Sequence, residues 1–465
     1  MFSNLRLGIF VKVLGLDRWV RGRFTPMGRV LLGSLVAVGL FALNPRISQA
    51  WLLAVVLLTL ILIALGQAPW FRPKFRLRRQ LPAYATVGRD LNYTVLIENC
   101  SRRVLPVCQI REQPARLRTR ELRGSNAESG DWDVLHSALS YPQFVRSMRL
   151  RDGFRARRGN TVELAPGHQA SLNLRLAPLR RGYVNLYRLC LERVDPLGIF
   201  RAWQQQRITD RLLVLPRRYR LRWRDRSGRN QRPGSGRAQS SSTGGSVDFA
   251  RLREYRQGDP MRHIHWRAWA HLGTPVVMEF HQQTPGRSAL IMDTFAVAPG
   301  DREAFEEAVS VAASFCGDSH WCDGRLELLL LGEQPVRLGY GPQSGDQSSG
   351  MDAMLEALAC VQPAREYTPE MLVQAARREL EGIEQCICVF LDYGSAHQKL
   401  LRDLQLNGIS TLVLVVHTDA HKRIRQTGPM ATAPRQLLAV KPGEAAQVLG
   451  DLPVTRQHSK LAYSA

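Results

Sequence analysis

From Leu252 to Trp266 the chain reads Leu-Arg-Glu-Tyr-Arg-Gln-Gly-Asp-Pro-Met-Arg-His-Ile-His-Trp. Few other stretches hold so many groups able to do chemistry. Arginine and carboxylate side chains form charge-assisted, often bidentate hydrogen bonds, so Asp259 could hold Arg253 or Arg262. Gly258-Asp259-Pro260 has turn composition. Trp266 has the size and rigidity of an interface anchor. Metal ligation is the competing chemistry, with Asp259, His263 and His265, and further on His271 and His281, as the donor types for metal-dependent hydrolysis. That set follows no established ligand spacing. The segment therefore reads as a recognition surface without catalysis, carried by Arg253, Tyr255, Gly258, Asp259, Arg262, Ile264 and Trp266. An internal Arg–Asp pair pinning the segment to its own domain explains the same residues.

Chemistry elsewhere is sparse. Asp293 and Asp392 each close an apolar run of strand length. In an open parallel sheet such positions face the crevice where ligands bind. There is no phosphate-binding loop, no glycine-rich dinucleotide turn and no nucleophile elbow, so no cofactor is expected and the chain does not read as an enzyme. Eight cysteines lack a repeated spacing. Cys386 and Cys388 would share one strand face, while Cys316, His320 and Cys322 fall short of a zinc set. A reducing compartment fits them.

The elements that position these groups begin with two apolar runs. Residues 47–71 carry no charge. About 25 residues make roughly 37 Å of helix, enough to span a bilayer with tilt. Trp51, Trp70 and Phe71 stand near its ends, as in an interfacial aromatic belt. Residues 30–43 form a shorter apolar run, and Asn44-Pro45-Arg46 makes a tight turn between the two. The pair predicts a two-helix transmembrane hairpin over 30–71, preceded by a basic leader over 1–29. Arginines and lysines flank the hairpin on both outer sides while the turn holds only Arg46, which predicts both termini in the cytoplasm. Residues 2–20, apolar with sparse charges, could lie on the membrane surface.

Residues 72–216 change to a period of two. Leu91, Tyr93, Val95 and Ile97 alternate with more polar neighbours, as do Leu172, Leu174 and Leu176. Turns such as Ala165-Pro166-Gly167-His168 separate them, which predicts a β-sandwich-like domain. Residues 116–160 read as an arginine-rich excursion with a hairpin near 144–158. Residues 217–246 read as an Arg/Gly/Ser-rich linker, able to lie on anionic lipid headgroups or, less readily, on nucleic acid. The formal charge of +24 suits either anionic partner without choosing between them. Residues 247–465 alternate strand and helix: strands at 276–280, 289–293, 326–331, 386–391 and 411–416, helices at 302–315, 351–360 and 371–380. That order predicts a parallel sheet covered by helices.

Arg253-x-Tyr255-x-x-Gly258-Asp259-x-x-Arg262-x-Ile264-x-Trp266, followed by Val276-Val277-Met278-Glu279-Phe280, resembles the signature of a bacterial membrane-associated family, domain of unknown function 58. Arg181-Gly182-Tyr183 and Asp195-Pro196-Leu197-Gly198-Ile199-Phe200 support the resemblance. It implies a multidomain membrane protein with a C-terminal α/β region like a von Willebrand factor type A domain. It further implies residence in the bacterial inner membrane and work beside a MoxR-type AAA+ ATPase, as a non-enzymatic adaptor or assembly factor. Two departures stand out. Trp269 and His271 replace a small residue and an arginine common in the family. Where true type A domains carry Asp-x-Ser-x-Ser for a metal, this chain has Asp293-Thr294-Phe295-Ala296-Val297, so the hydroxyl ligands are missing and Asp293 and Asp392 are left as a degenerate metal position.

Overall fold

The computed structural model describes residues 2–42, 48–67, 71–114, 140–161, 163–224, 247–256, 259, 261, 264–282, 287–295, 302–318, 325–332, 336–340, 347–364, 373–374, 382–420, 424 and 427–453. The chain divides into two compact units, Met1–Arg217 with Leu355–Val361, and Arg218–Met354 with Gln362–Ala465.

The first unit begins with three helices, α1 (Phe2–Arg23), α2 (Pro26–Ala42) and α3 (Ser48–Gly66). Thr25 caps α2: its Oγ1 accepts from the Gly28 backbone N–H at 3.0 Å, and Pro26 occupies the first helical position, where a missing N–H costs nothing. Leu31, Leu32 and Leu35 of α2 pack with Leu60, Ile61, Ala64 and Leu65 of α3, so the two helices run antiparallel. Gln49–Gly66 is long and apolar enough to cross a membrane, whereas Pro26–Phe41 is apolar but shorter. The helix expected to run to residue 71 ends at Gly66; Pro69 disfavours helical geometry in the residue before it.

Strands β1 (Phe75–Gln80), β2 (Tyr84–Thr86), β3 (Leu91–Asn99), β4 (Gln109–Gln113), β5 (Phe154–Ala156), β6 (Gly159–Asn160), β7 (Gln169–Pro178), β8 (Gly182–Val194) and β9 (Arg201–Leu215) complete the unit. They form one sheet of order β1-β3-β7-β5 and another of order β2-β9-β8-β4-β6. Tyr93, Val95 and Ile97 from one sheet and Ile110, Leu186, Leu189 and Leu191 from the other share one core, as the period-two pattern requires.

Two expectations for this unit change. Tyr141–Asp152 is a helix, not the arm of a hairpin. Its Phe144 and Met148, one turn apart, bury against Val11 and Leu14 of α1, and Arg18 bonds Asp152 at 2.7 Å. Tertiary burial has overridden a polar local sequence. The same contacts hold one face of α1, so the leader packs on protein along that face. The region 115–139 lies outside the described residues.

The second unit is an α/β layer structure. Its strands are β10 (Trp223–Arg224), β11 (Val247–Glu254), β12 (Val276–Gln282), β13 (Arg287–Asp293), β14 (Arg325–Leu331), β15 (Val336–Tyr340), β16 (Ile383–Phe390), β17 (Ser410–Val416), β18 (Leu437–Val440) and β19 (Leu452–Pro453). The main sheet has the order β15-β14-β13-β16-β17-β18. All its ladders are parallel except β14–β15. Central strands β13, β16 and β17 are buried almost throughout, which is why they read as continuous apolar runs. Helix Arg302–Phe315 buries Phe305, Ala308, Val309, Ala312 and Phe315. Helix Ser395–Leu406 buries Leu400, Leu401 and Leu404. The helix expected over 371–380 lies almost wholly outside the described residues.

Two further expectations need correction. Residues 276–280 do not join the main sheet. They belong to β12, which pairs antiparallel with β11 in a separate ribbon. The first part of the expected linker is also ordered onto this unit. Tyr219 donates its hydroxyl to Glu307 at 2.8 Å, Trp223 Nε1 donates to Asp318 at 2.6 Å, and β10 pairs with β19. The aromatics of the basic stretch serve packing there. Residues 225–246 lie outside the described residues.

Candidate functional site

The signature segment is built on the β11–β12 ribbon. Arg253 pairs in register with Val277, and the chain leaves the ladder at Tyr255, whose N–H donates to Pro275 O at 2.9 Å. It then turns back. Ile264 bridges Val277 from the other edge of β12, and His265 N–H donates to Val276 O at 2.9 Å. β12 is thus flanked on both sides by the same segment. Helix Trp266–Leu272 follows, capped by His265, whose Nδ1 accepts from Ala268 N at 2.9 Å. It ends at Gly273, whose φ of 70° suits a residue without Cβ.

One carboxylate closes the excursion. Arg253 donates Nη1 to Asp259 Oδ2 and Nη2 to Asp259 Oδ1, both at 2.7 Å, and Arg256 N–H adds a third bond at 2.9 Å. The hydrogen bonds from Arg253 and the Arg256 backbone pull the Asp259 carboxyl down to about 2, so it is ionised at any physiological pH.

This geometry sorts the candidate residues. Arg253 and Asp259 are spent on each other, and Ile264 is buried at the bridge. Tyr255 is half-buried. Gly258 and Arg262 lie outside the described residues. Trp266 is 63% exposed, and its ring stacks on Trp269 with centroids 5.3 Å apart. Elsewhere in the same segment, Met261 is 73% exposed, Leu272 63% and Leu252 39%. Sequence reasoning named Trp266 but not the exposure of Met261 and Leu272, which carry no signal of it in their local pattern.

Of the donors named for a metal, His263 lies outside the described residues. Among the described residues, no three His, Cys, Asp or Glu side chains converge as metal ligands. His265, one of the proposed donors, uses Nδ1 as a helix cap.

The second candidate place is the end of the main sheet. Strand order reverses between β13 and β16, which makes this the topological switch point. Asp293 sits there, 1% exposed. Its Oδ2 meets Nε2 of His397 at 2.9 Å, and its Oδ1 accepts from Phe295 N–H at 2.8 Å. His397 comes from helix Ser395–Leu406 and is 2% exposed. The Asp293 carboxylate is therefore engaged by an imidazole and a backbone amide. Asp392 follows β16, and a Cβ placed on Gly394 would lie 3.5 Å from its Oδ2 and 4.0 Å from Nδ1 of His397. His397 was not foreseen: it lies 104 residues from its partner, on an amphipathic helix whose pattern is blind to it.

The fold and site define a mixed α/β protein that carries an exposed aromatic surface on an accessory ribbon. Residues 251–431 match the model of a family described as protein of unknown function DUF58. No curated protein matches the chain. Solved structures with some likeness include the manganese-loaded TRAP protein of Plasmodium vivax, at 10% identity and a TM-score of 0.25, covering 35% of this chain and 71% of that one. Another is AvmM, described as catalysing macrocyclization in alchivemycin A biosynthesis, at 13% identity and a TM-score of 0.16, covering 30% of this chain and 89% of that one. Likeness this shallow decides neither the fold nor an activity.

Proposed function

We propose that this protein is a membrane-held, non-enzymatic interaction protein, and that the ribbon of residues 247–282 is its contact surface. The observation that carries the reading is the contrast within the signature segment. Its charged pair is consumed in fixing the turn, while the aromatic it carries, Trp266, is left in solvent stacked on Trp269. Large aromatics are expensive to expose and are enriched at the centres of interfaces. A rigid turn also lowers the ordering cost of binding.

Membrane attachment through the α2–α3 hairpin is supported by composition and burial together. Only 11% of the Gln49–Gly66 window is buried, whereas an apolar helix of a soluble core would be covered. The basic flanks favour both termini on the cytoplasmic side of a bacterial inner membrane. On this reading the second unit is a von Willebrand factor type A-like module whose metal position has been replaced by the Asp293–His397 pair. The family resemblance suggests a MoxR-type AAA+ ATPase as the partner.

The test is co-purification of the intact protein from detergent-solubilised membranes, with and without a slowly hydrolysed ATP analogue. The expected result is an AAA+ ATPase whose recovery depends on the nucleotide and falls in Trp266→Ser. Recovery of the protein in the soluble fraction would refute membrane attachment. Nucleotide-independent recovery that Trp266→Ser leaves unchanged would refute the assigned surface.

A further inference from the structure

A cluster of guanidinium groups stands in the first unit where α1 gives way to α2. Phe24 bridges Phe200, and Thr25 N–H donates to Ile199 O at 3.0 Å. Gly28 lies so close to that turn that an added Cβ would fall 2.1 Å from Ile199 O. The start of α2 is therefore fixed against the β8–β9 turn. Beside this joint, Arg158 donates Nε to Oε2 of the buried Glu192 at 3.1 Å, and Arg111 Nη2 pairs with its Oε1 at 2.8 Å, although Oε1 has no hydrogen bond among the described residues. Arg201, 7% exposed, donates Nη1 to Phe24 O at 3.1 Å. Arg23 lies over the Trp203 ring at 4.3 Å. The position of a Cβ on Gly22 is 3.7 Å from Nη2 of Arg111, which brings the end of α1 onto the same group.

Charge does not balance here. Four arginines, Arg23, Arg111, Arg158 and Arg201, share one carboxylate, Glu192, and Arg29 adds to the field felt by Arg201. The Nε atoms of Arg23, Arg111 and Arg201 are buried without a hydrogen-bond partner among the described residues. Burial lowers the pKa of both Arg23 and Arg201, and for Arg201 the neighbouring arginines push in the same direction. Buried donors and uncompensated like charges both cost stability unless an anion completes them. Structural duty accounts for part of the set: Arg201 caps the end of α1, and Glu192 holds Arg111 and Arg158. The Trp203 ring accounts for the position of Arg23, which leaves the buried Nε atoms and the net positive charge unexplained.

We propose that Arg23, Arg111, Arg158 and Arg201 bind the phosphate of an anionic phospholipid headgroup at the joint between α1 and α2. The assignment rests on the membrane reading above, since it is the start of α2 two residues after Thr25's neighbour Phe24 that puts the cluster at headgroup level. Guanidinium forks match phosphate oxygens in geometry and charge. The site is separate from the basic stretch after Arg217, whose lipid contact would be diffuse and unbuilt.

The test is native mass spectrometry of the full-length protein released from detergent, loaded with dioleoyl phosphatidylglycerol or with dioleoyl phosphatidylcholine. Wild type is expected to retain one phosphatidylglycerol that survives activation, and no phosphatidylcholine. The double variant Arg23→Gln/Arg158→Gln should lose that occupancy at least tenfold, while Arg217→Gln/Arg218→Gln keeps it. Millimolar inorganic phosphate should not displace the lipid; displacement would assign the site to a free phosphate and overturn the proposal. Equal retention by wild type and the double variant, or equal retention of phosphatidylcholine, would overturn it too. Should the double variant fail to fold, thermal unfolding of wild type decides: phosphatidylglycerol must raise the melting temperature more than phosphatidylcholine does. These measurements are made in detergent, so a failed fractionation result and an absent lipid site are read separately.

Discussion

At the scale of single residues, the chain uses its ion pairs to set shape. Asp259 shows it best. Its carboxyl is held at about 2 in the folded protein against roughly 3.9 for an ordinary aspartate. A depressed carboxylate stabilises the fold above the unfolded value and loses that contribution as pH falls through the folded one. The turn should therefore be indifferent to pH from neutrality to about 4 and open between about 4 and 2. Carboxyl chemical shifts of Asp259 followed by NMR check this; a midpoint near 4 would show that the Arg253 bonds do not persist in solution. A deeper pair makes a harsher test. Arg79 and Glu112 are fully buried side chains joined at 2.8 and 3.0 Å, with Tyr93 donating to the same carboxylate at 2.8 Å. Burial raises the pKa of Glu112 while Arg79 lowers it. Arg79→Leu strands that carboxylate and should cost roughly 3–5 kcal/mol in chemical denaturation. A loss below about 1 kcal/mol would mean that Glu112 takes up a proton without penalty.

At the scale of elements, legibility followed burial on both faces. β13, β16 and β17 are covered on both sides and stood out as apolar runs, and β3 and β7 alternated because one face meets the core. Elements stabilised by partners far along the chain were silent. The helix Tyr141–Asp152 depends on α1, and the two-residue strand Trp223–Arg224 depends on Leu452 and Pro453. His397 was missed for the same reason, and Asp293 was seen only because it ends a strand. The α1–α2 joint offers a test at this scale. Gly28→Ala would place a Cβ against Ile199 O, a backbone atom that cannot swing away. The variant should lower the melting temperature and expose the 199–200 backbone to hydrogen exchange, whereas Gly33→Ala, with open space around it, should do neither.

At the scale of the whole molecule, composition points to a setting and says little of identity. The apolar run at 47–71 and the arginine-rich flanks suggested attachment, but the runs alone overstated the helices, since among the described residues only Gln49–Gly66 has the length and hydropathy of a span. The proposed surface falls in one segment because so many recognition-capable residues crowd there. Sequence could not divide them into those that fold the turn and those that face outward; that division needed the Arg253–Asp259 bonds and the exposure of Trp266. If the division is right, the two classes of variant must behave differently. Asp259→Ala should disturb the ribbon and lose partner binding with it. Trp266→Ser should leave the fold intact and weaken binding by at least about 2 kcal/mol, some 30-fold, as an interface anchor does.

The central claim is that the ribbon surface touches a partner, and in-cell photocrosslinking tests it most directly. A photoreactive residue would replace Met261, 73% exposed beside the ribbon, and as a control Leu406, 79% exposed at the end of helix Ser395–Leu406. The account predicts a single adduct from position 261, identified by mass spectrometry as an AAA+ ATPase, abolished by Trp266→Ser and not formed from position 406. Folded, membrane-bound protein that gives no adduct from 261, or the same adducts from both positions, would contradict it.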